Sequence, residues 1–539
     1  MLGLVGLVGC QTNKAEEIVD LTNFAKMGQT EQAFDLTLEG FPLKKPIEVR
    51  VMGPSLGVVA WEQMPFWQAL TEATNIHFVF NTPDGQDFSR EIERAFLADT
   101  ISDVIFAGSL TNTRQVQYGS SGQLLPLQDL IKSSAPNLEK LLNDNPHIRK
   151  SITAPDGNIY ALPTINQSYY SVWPVGPLYY NGSYLAYLNE DIPTTLDEFT
   201  ALMFRFRNEM PAYLGVDRVY PISSADGMAW LRLWLLSVYG MTTRTFEVFD
   251  DEVVFNALTD NYREFLEWMH MMYEEGILHP DIYTLTTEEQ AKLGKENRVG
   301  LFQAWESTDV LDIEGVSVMH NPMFRPLSSH VKHTPVLPVS QGFSTGQLSI
   351  TSKAAHPEEI MAMIDFLYTP EGHIFAEFGP EGSYWVFEEN KNGQQVRVLA
   401  PELDPEDALN RGRVTPFFGI PAPGLITKEM PRVLKTTDEP TDDATTDFLK
   451  QETEETMGRY GKVSMPNVML TTQEVNLIST KTSDIVAEVN LREMKFVTGV
   501  VPINDDTWEA YKASIGALGI DKLREVWQGA YDRVKDTHK

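Results

Sequence analysis

Cysteine is almost absent from this sequence, because only one of its 539 residues, Cys10, is a cysteine. A single cysteine excludes an intrachain disulfide and offers no cysteine pair for a structural zinc site. Basic residues are also scarce, with 43 Lys and Arg against 75 Asp and Glu and a net charge of −32. This charge repels nucleic-acid phosphates and anionic lipid surfaces, so we expect no nucleic-acid partner.

Long apolar runs are missing as well. A transmembrane helix takes about 20 apolar residues, and every apolar stretch here is interrupted sooner by charge, glycine or proline. The sequence contains no HExxH zinc motif and no phosphate-binding GxxxxGK[ST] loop. With 42% apolar residues the chain is still typical of globular proteins, and its length indicates two or more domains or lobes.

The single cysteine lies at the end of a short apolar run. Leu7-Val8-Gly9-Cys10 resembles the lipobox of bacterial lipoprotein signal peptides, in which the cysteine is lipidated and becomes the mature N-terminus. No Lys or Arg precedes the run, so we expect the natural signal peptide to begin further upstream. The alternative is an apolar N-terminus with a chance cysteine. The lipobox predicts that residues 1–10 are a signal-peptide remnant, that residues 11–45 are a tether, and that Cys10 anchors the protein outside the bacterial membrane.

After the tether, strand and helix patterns alternate. Ile47–Gly53 alternates like a strand, and the helical spacing that follows ends at Asn75, a plausible left-handed stop. The segments IHFVFN, DFSREIERAFLADT and ISDVIFAG predict a strand, a helix and a strand. This order is typical of a parallel α/β sheet with buried strands.

The same alternation returns later in the chain. Thr195 and Glu198 form a capping box ahead of a helix, and a second amphipathic helix ends at Gly276. RVGLFQAW and QLSITS predict strands, and the C-terminal residues predict two helices separated at Gly519. The acidic, threonine-rich residues 438–455 predict a solvated loop leading into a helix.

Three stretches, in this order, resemble the extracellular solute-binding proteins of family 1, the lipoprotein receptors of sugar ABC importers. They are MYEEGILHPDIYTLTTEEQAKLGKENRVGLFQAW, SITSKAAHPEEIMAMIDFLYTPEGHIFAEFGPEGSYWVF and KFVTGVVPINDDTWEAYKASIGALGIDKLREVWQGAYDRV. In the last of them Tyr511, Leu523 and Ala530-Tyr531-Asp532 are the most similar residues.

The resemblance implies an α/β fold of two lobes, of the type II periplasmic-binding-protein kind, with crossing hinge strands and C-terminal helices. We place the crossings near NIYALPTINQ and TPVLPVSQG. Lobe 1 is then expected to contain residues 46–165 and 338–378, and lobe 2 residues 166–337 and 379–539. The implied partners are a carbohydrate in the cleft between the lobes and the permease subunits of an ABC transporter, and we expect a monomer.

One departure from the family concerns calcium. Large members of this family often carry a calcium loop, an Asp/Asn-rich run with a central Gly, just after the helix that begins here at Thr195. This chain has NEMPAYLGVDRVYPIS at that place, which lacks the alternating oxygen ligands that a hard cation needs. We therefore expect no metal there, and no cofactor elsewhere.

Aromatic residues in loops are the candidate ligand contacts, because sugars stack their C–H faces on Trp and Tyr while carboxylates and amides bind their hydroxyls. The candidates are Trp61, Glu62, Tyr169, Tyr170, Trp173, Trp305, Glu306, Tyr384 and Trp385. Five other tryptophans lie in helical patterns that predict core positions, namely Trp67, Trp234, Trp268, Trp508 and Trp527.

Two patterns that suggest catalysis have simpler interpretations. Gly342–Gly346 matches the Gly-x-Ser-x-Gly nucleophile elbow, but that motif needs a following helix and a strand is predicted here. His270, Glu274 and His279 could suggest a metal site, but Gly276 separates His279 from the helix that holds the other two.

The sequence therefore predicts a lipid-anchored, non-catalytic receptor that captures a carbohydrate, most simply an oligosaccharide, for an ABC importer. A receptor for a peptide or another polar solute is an alternative. A surface glycoside hydrolase or lyase is another, because 75 acidic residues allow many carboxylate pairs.

Overall fold

The computed structural model describes residue 36 and residues 38–535, except 406, 408 and 442. Cys10 and residues 11–35 of the predicted tether lie outside the described residues. The last part of that tether packs against the body of the protein. Leu38 is buried, and the backbone N–H of Leu43 donates to the carbonyl of Thr74 at 2.9 Å.

A six-stranded mixed sheet forms the centre of the first lobe. In spatial order its strands are β14 (Gly424–Ile426), β4 (Leu162–Asn166), β11 (Phe343–Ile350), β3 (Val104–Phe106), β1 (Ile47–Met52) and β2 (Ile76–Asn81). Strands β1, β2 and β3 are parallel, as the sequence predicts, whereas β11 runs antiparallel to β3 and β4. The carboxyl ends of β1, β3, β4 and β14 therefore share one edge with the start of β11.

The second lobe is built around a smaller sheet. Its strands, in spatial order, are β5 (Leu178–Tyr180), β9 (Val299–Gln303) and β6 (Tyr220–Ser223). Strands β6 and β9 are parallel and β5 is antiparallel to β9. The remaining strands pair in twos, namely β7 (Phe246–Phe249) with β8 (Glu252–Phe255), β10 (Leu337–Pro338) with β15 (Gly461–Lys462), and β12 (Trp385–Glu389) with β13 (Gln395–Leu399).

Helices cover both sheets. In chain order they are α1 (Pro65–Thr74), α2 (Phe88–Leu97), α3 (Asn112–Ser120), α4 (Gln128–Ser134), α5 (Pro136–Asp144), α6 (Pro146–Ile152), α7 (Gly182–Leu188), α8 (Leu196–Leu214), α9 (Ala229–Leu235), α10 (Asp260–Glu274), α11 (Thr287–Lys295), α12 (Pro357–Asp365), α13 (Pro370–Phe378), α14 (Asn410–Val414), α15 (Ala444–Thr453), α16 (Thr472–Val497), α17 (Asp505–Ala517) and α18 (Ile520–Asp532). No helix in the described part of the chain is both long and apolar enough to cross a membrane.

Local signals in the sequence explain several helix ends. Asn75 stops α1 in the left-handed conformation at φ 60°, as predicted. The side chain of Thr195 accepts from the backbone N–H of Glu198 at 3.2 Å, and the Glu198 carboxylate accepts from the N–H of Thr195 in return. This capping box begins α8 and satisfies two backbone donors that the helix itself leaves free.

Three connections join the lobes within the described residues. One runs from β4 to β5 and one from β10 to β11, close to the two crossings that the sequence predicts. The third runs from β14 to α15 and was not predicted. The two-lobe α/β architecture is confirmed, while the lobe boundaries stay a prediction. Because β14 pairs with β4, residues 424–426 would belong to lobe 1.

Candidate functional site

An aromatic turn follows directly after β4, where the chain leaves the first lobe. Residues Tyr169–Val172 form a short 3₁₀ helix, and Trp173 ends it. The backbone N–H of Ser340, in the second connection, donates to the carbonyl of Val172 at 2.8 Å. This contact holds the turn against a neighbouring hinge segment. The aromatic side chains of the turn therefore lie at the junction of the lobes.

Trp305 meets this turn from the second lobe. It lies just beyond the carboxyl end of β9, the edge where open α/β sheets bind ligands. Its backbone carbonyl accepts a hydrogen bond from the Tyr179 hydroxyl at 3.1 Å. Its ring lies 6.2 Å from that of Trp173, centroid to centroid. The buried Trp173 is only 6% exposed, whereas Trp305 is 56% exposed and presents its indole to solvent.

Two tyrosines complete the group. The ring of Tyr169 lies 5.4 Å from that of Tyr170 and 5.7 Å from that of Trp173. The indole N–H of Trp173 donates to the hydroxyl of Thr453 in α15 at 3.0 Å. We call Tyr169, Tyr170, Trp173 and Trp305 the hinge aromatic cluster. Four predicted site residues, from two separate parts of the sequence, thus form one connected group, in which Trp305 is joined through Trp173.

The carboxylates of Glu306 and Asp443 lie beside the hinge aromatic cluster. Loss of solvent around the Glu306 carboxyl raises its pKa above the usual value, and the negative charges of Asp309 and Asp443 raise it further. Burial would raise the pKa of Asp443 too, but hydrogen bonds from Thr446 and the charge of Arg432 outweigh it, so that its pKa is lowered. Asp443 therefore stays ionised, and the surface beside the aromatic rings is negative.

The first lobe contributes an ion pair on the Tyr170 side. Arg411 of α14 donates to the Glu377 carboxylate of α13 at 2.7 Å. Burial and the charge of Glu377 raise the pKa of the Tyr170 hydroxyl to about 12, although Arg411 opposes the shift. Groups from both lobes thus lie beside the cluster, as a site in an inter-lobe cleft requires.

The other predicted aromatic residues lie elsewhere. Trp61 is 1% exposed and stacks on Trp67 at 5.5 Å in the core of the first lobe, with the exposed Glu62 next to it. Trp385 is buried in β12, and Tyr384 stacks on Phe378 at 5.7 Å. Because Trp61 and Trp385 are buried, they have no surface for a ligand in this conformation. For the nine candidates as a set, contact with a ligand stays a prediction.

Two residues near the edge of the second sheet were not among the predicted contacts. Trp230 lies at the start of α9, shortly after β6, and is 40% exposed. Because β6 and β9 are parallel neighbours, the segment that leads from β6 to Trp230 begins at the same sheet edge as Trp305. Asp443 lies in the segment predicted as a solvated loop without a site. The signal for Trp230 was available, since it follows a strand as Trp305 does.

The residues that could suggest catalysis or metal binding make other contacts in the structure. Ser344 of the Gly-x-Ser-x-Gly pattern lies inside β11, which continues to Ile350 without the helix of a nucleophile elbow. His270 contacts the Val497 carbonyl at 3.1 Å, and His279 packs on Tyr220. Among the described residues, no three His, Cys, Asp or Glu side chains are placed to hold a metal ion.

The stretch in which the family resemblance implies a calcium loop is helical only in its first part. Helix α8 continues through Pro211 to Leu214, Gly215 ends it with φ 68°, and β6 begins at Tyr220. The absence of calcium from this stretch stays a prediction.

Comparison with known proteins gives consistent results. FusA of Streptococcus pneumoniae, a fructooligosaccharide ABC transporter substrate-binding protein, is 24% identical over 392 residues, which cover 69% of this chain and 71% of FusA. The structure of FusA in complex with kestose has a TM-score of 0.74 and 20% identity, covering 91% of this chain and all of that one.

A solute-binding protein from Bifidobacterium longum infantis that binds HMO and is associated with an ABC transporter has a TM-score of 0.71. It is 18% identical and covers 91% of this chain and 99% of its own. The model of the bacterial extracellular solute-binding protein family matches residues 53–374, which is more than half of the sequence. The chain therefore belongs to the bacterial extracellular solute-binding protein family.

Proposed function

We propose that this protein captures an oligosaccharide between its two lobes and delivers it to the permease of an ABC importer. The observation that carries the proposal is the hinge aromatic cluster, in which the exposed indole of Trp305 faces the junction of the lobes. FusA and the protein from Bifidobacterium longum infantis, which share this fold, are named for oligosaccharide ligands.

The chemistry of the cluster fits a sugar. A pyranose or furanose ring exposes C–H groups that pack on an aromatic face, and its hydroxyls need hydrogen-bond partners. Trp305 and Tyr169 offer faces, while Glu306 and Asp443 offer acceptors beside them. An apolar platform with a few convergent polar groups is the usual form of a small-ligand site.

The hinge supplies the motion that capture requires. A ligand that contacts both lobes only when they are close together shifts the population toward the closed state. Small-angle scattering of the protein with and without a bound glycan should then show a smaller radius of gyration in the complex. An unchanged radius at saturation would count against capture between the lobes.

The ligand class is tested by a glycan array that includes neutral and anionic oligosaccharides, followed by calorimetric titration of each positive glycan. A short-peptide library is the parallel arm. We expect binding to a subset of the oligosaccharides and to none of the peptides. Binding to peptides alone would replace the proposal with a peptide receptor.

We also propose that the protein does not cleave what it binds. Incubation of each positive glycan with the protein, followed by mass spectrometry of the mixture, should show the glycan intact. Appearance of shorter products would instead identify a surface glycoside hydrolase or lyase.

Lipid anchoring at Cys10 is part of the proposal. Anchoring needs more than one acyl chain, because each buried CH₂ contributes about 0.8 kcal/mol. Cys10→Ala should release the full-length protein from membranes without changing its affinity for a glycan. An unchanged membrane fraction would contradict the lipobox interpretation. The purified variant should run as a monomer in size-exclusion chromatography with light scattering.

A further inference from the structure

The turn that carries the exposed indole of Trp305 also carries two carboxylates. Residues Ser307–Asp309 form a short 3₁₀ helix directly after Glu306. The Glu306 carboxylate accepts from the backbone N–H of Asp309, and the Asp309 carboxylate accepts from the backbone N–H of Glu306 at 2.9 Å. These two hydrogen bonds give both carboxylates defined positions. We call residues 305–309 the Trp305 turn.

Two tyrosines show that these charges lie near the proposed site. The hydroxyl of Tyr179 donates to the Trp305 carbonyl at 3.1 Å. Burial raises the pKa of this hydroxyl, and the charges of Glu306 and Asp309 raise it further. Burial also raises the pKa of Tyr169 in the hinge aromatic cluster, and the charge of Glu306 adds to that shift. The Glu306 carboxylate is therefore close enough to the cluster to act on it.

The two carboxylates of the Trp305 turn have no basic partner in the described part of the chain. Neither Glu306 nor Asp309 forms an ion pair with a lysine or an arginine there. Besides loss of solvent, the groups that raise the pKa of Glu306 are Asp309 and Asp443, and both are acidic. The turn therefore presents negative charge that nothing in its surroundings neutralises.

The arginines that act on the site are already paired. Arg432 lies 3.4 Å from the Asp443 carboxylate and 3.4 Å from that of Glu439. Arg411, on the Tyr170 side of the cluster, donates to the Glu377 carboxylate. An anionic ligand would have to displace a protein carboxylate before it gained a counter-charge from either arginine.

An uncharged sugar unit suits these surroundings better than an anionic one. An ionised carboxylate only accepts hydrogen bonds, and sugar hydroxyls donate them. A neutral unit that stacks on Trp305 can thus donate to Glu306. A carboxylate on that unit would be repelled by the Trp305 turn and would lose hydration without finding a free cation.

We propose that Glu306 and Asp309 make the site selective for uncharged oligosaccharides, because they repel any glycan whose unit at Trp305 carries an anionic group such as the carboxylate of a uronic acid. The inference rests on the proposed function and makes it more specific. Glu306 is assigned a second role as an acceptor for a sugar hydroxyl, whereas Asp309 acts through its charge alone.

The first test compares ligands that differ only in charge. A neutral glycan that binds on the array is oxidised at one primary hydroxyl at a time, which gives a set of uronates. Each uronate is also converted to its uronamide, which has nearly the same shape and no charge. In calorimetric titrations at low salt, we expect at least one uronate to bind about tenfold more weakly than its uronamide. Equal affinities throughout the set would overturn the inference.

Salt provides a second readout on the wild-type protein. The screening length falls from about 30 Å in 0.01 M salt to about 3 Å in 1 M salt. The affinity of the rejected uronate should therefore approach that of its uronamide at 1 M salt. A ratio of affinities that is the same at both salt concentrations would mean that shape rather than charge rejects the uronate, and would contradict the proposal.

Variants assign the selectivity to the Trp305 turn. Glu306→Gln and Asp309→Asn each remove one charge and keep a side-chain oxygen, and the double variant removes both charges. We expect each single variant to reduce the ratio of uronamide to uronate affinity about threefold, since two equal contributions make up one decade. The double variant should bind both ligands almost equally. A wild-type ratio in the folded double variant would overturn the proposal.

Glu358→Gln is the matched control, because it changes the net charge by the same amount. Glu358 is exposed in the first turn of α12. Because β11 runs antiparallel to β3 and β4, the end of β11 and the start of α12 lie at the sheet edge opposite to the hinge aromatic cluster. This variant should keep the wild-type ratio. A change as large as that of Glu306→Gln would show that net charge alone decides, and the role of the Trp305 turn would be wrong.

The two proposals fail in different ways. If no oligosaccharide on the array binds, the proposed function is wrong and the selectivity falls with it. If a neutral oligosaccharide binds and its uronates bind as tightly as their uronamides, the receptor function stands and only the selectivity is wrong. An array on which the strongest binders carry anionic units would likewise overturn the selectivity alone.

Discussion

The tripeptide Ala-Trp-Glu occurs in both lobes, at residues 60–62 and 304–306, and the two copies have opposite environments. The first follows β1 by a short loop and the second follows β9 directly. Trp61 is 1% exposed, whereas Trp305 is 56% exposed. An identical local sequence after a strand therefore does not decide whether a tryptophan is part of a core or part of a surface.

Residues outside the shared tripeptide make the difference. A Cβ atom at Gly53 would lie 2.2 Å from the Trp61 indole, so the glycine provides the space in which this ring lies. Around Trp61, the rings of Trp67 and Phe106 close the pocket at 5.5 and 5.8 Å. Trp305 contacts Trp173 on one side only. A tryptophan that is surrounded by other aromatic rings is thus part of the packing, whereas a tryptophan with a solvent-exposed ring face is a candidate ligand contact.

The strongest test of this contrast is Trp61→Ala. Removing a buried tryptophan costs about 3–5 kcal/mol of folding free energy, because it leaves a cavity. Urea denaturation should show this loss, while calorimetric titration of the folded fraction should give wild-type affinity for a positive glycan. A weaker affinity in fully folded Trp61→Ala would mean that both Ala-Trp-Glu copies contact the ligand, and the contrast would fail.

Trp305→Ala should do the reverse. Stacking on a sugar contributes on the order of 1–2 kcal/mol, taking the aromatic-pair value as a guide. Affinity should therefore fall about tenfold, since 1.4 kcal/mol corresponds to one decade, and the melting temperature should hardly change. Tyr213→Ala is the control, because Tyr213 is an exposed aromatic residue at the end of α8, stacked on Tyr187. Equal affinity in Trp305→Ala and wild type would remove Trp305 from the site.

Glu306→Gln tests the contribution of the negative charge beside Trp305, and its expected effect is smaller. The pKa of Glu306 is raised in the folded protein, so the folded state binds this proton more tightly than the unfolded state does. Stability therefore falls as pH rises through the unfolded value near 4.5, and the cost is fully present at neutral pH. Glutamine removes the charge and keeps a side-chain oxygen that can accept from the backbone N–H of Asp309, as the Glu306 carboxylate does.

We expect Glu306→Gln to melt on the order of 1 °C higher than wild type at pH 7 and equally at pH 4, by differential scanning fluorimetry. A lower melting temperature at pH 7 would show that the carboxylate is stabilising, and that the negative surface at Trp305 is not a cost to the fold.

Local patterns predicted the first strands and helices because each carries its own signal. In α2, the residues Ile92, Ala95 and Phe96 face the protein core, as their spacing predicts. The position of Trp305 at a strand end was also available from the sequence. Its contact with Trp173 was not, because 131 residues of chain separate them and only the hinge brings them together.

Other elements were missed for different reasons. Helix α16 has a clear apolar spacing at Val475, Ile478, Ile485 and Val489, so its omission was avoidable. Its buried Glu493 was not predictable, since the partners Arg232 and Arg244 lie in other elements.

Strand β14 has only three residues, and its partner β4 lies about 260 residues earlier, so no short sequence window could reveal it.

The late strand β14 has a consequence for how the protein acquires its structure. The six-stranded sheet needs residues from β1 near position 47 and from β14 near position 424. Because β4 precedes β14 by about 260 residues, an N-terminal part of the chain that begins to fold first contains β4 without its neighbour β14. Until β14 joins, one side of β4 is an unpaired edge, which can pair with another chain. The first lobe without β14 is therefore a stage at which pairing with another chain has to be prevented.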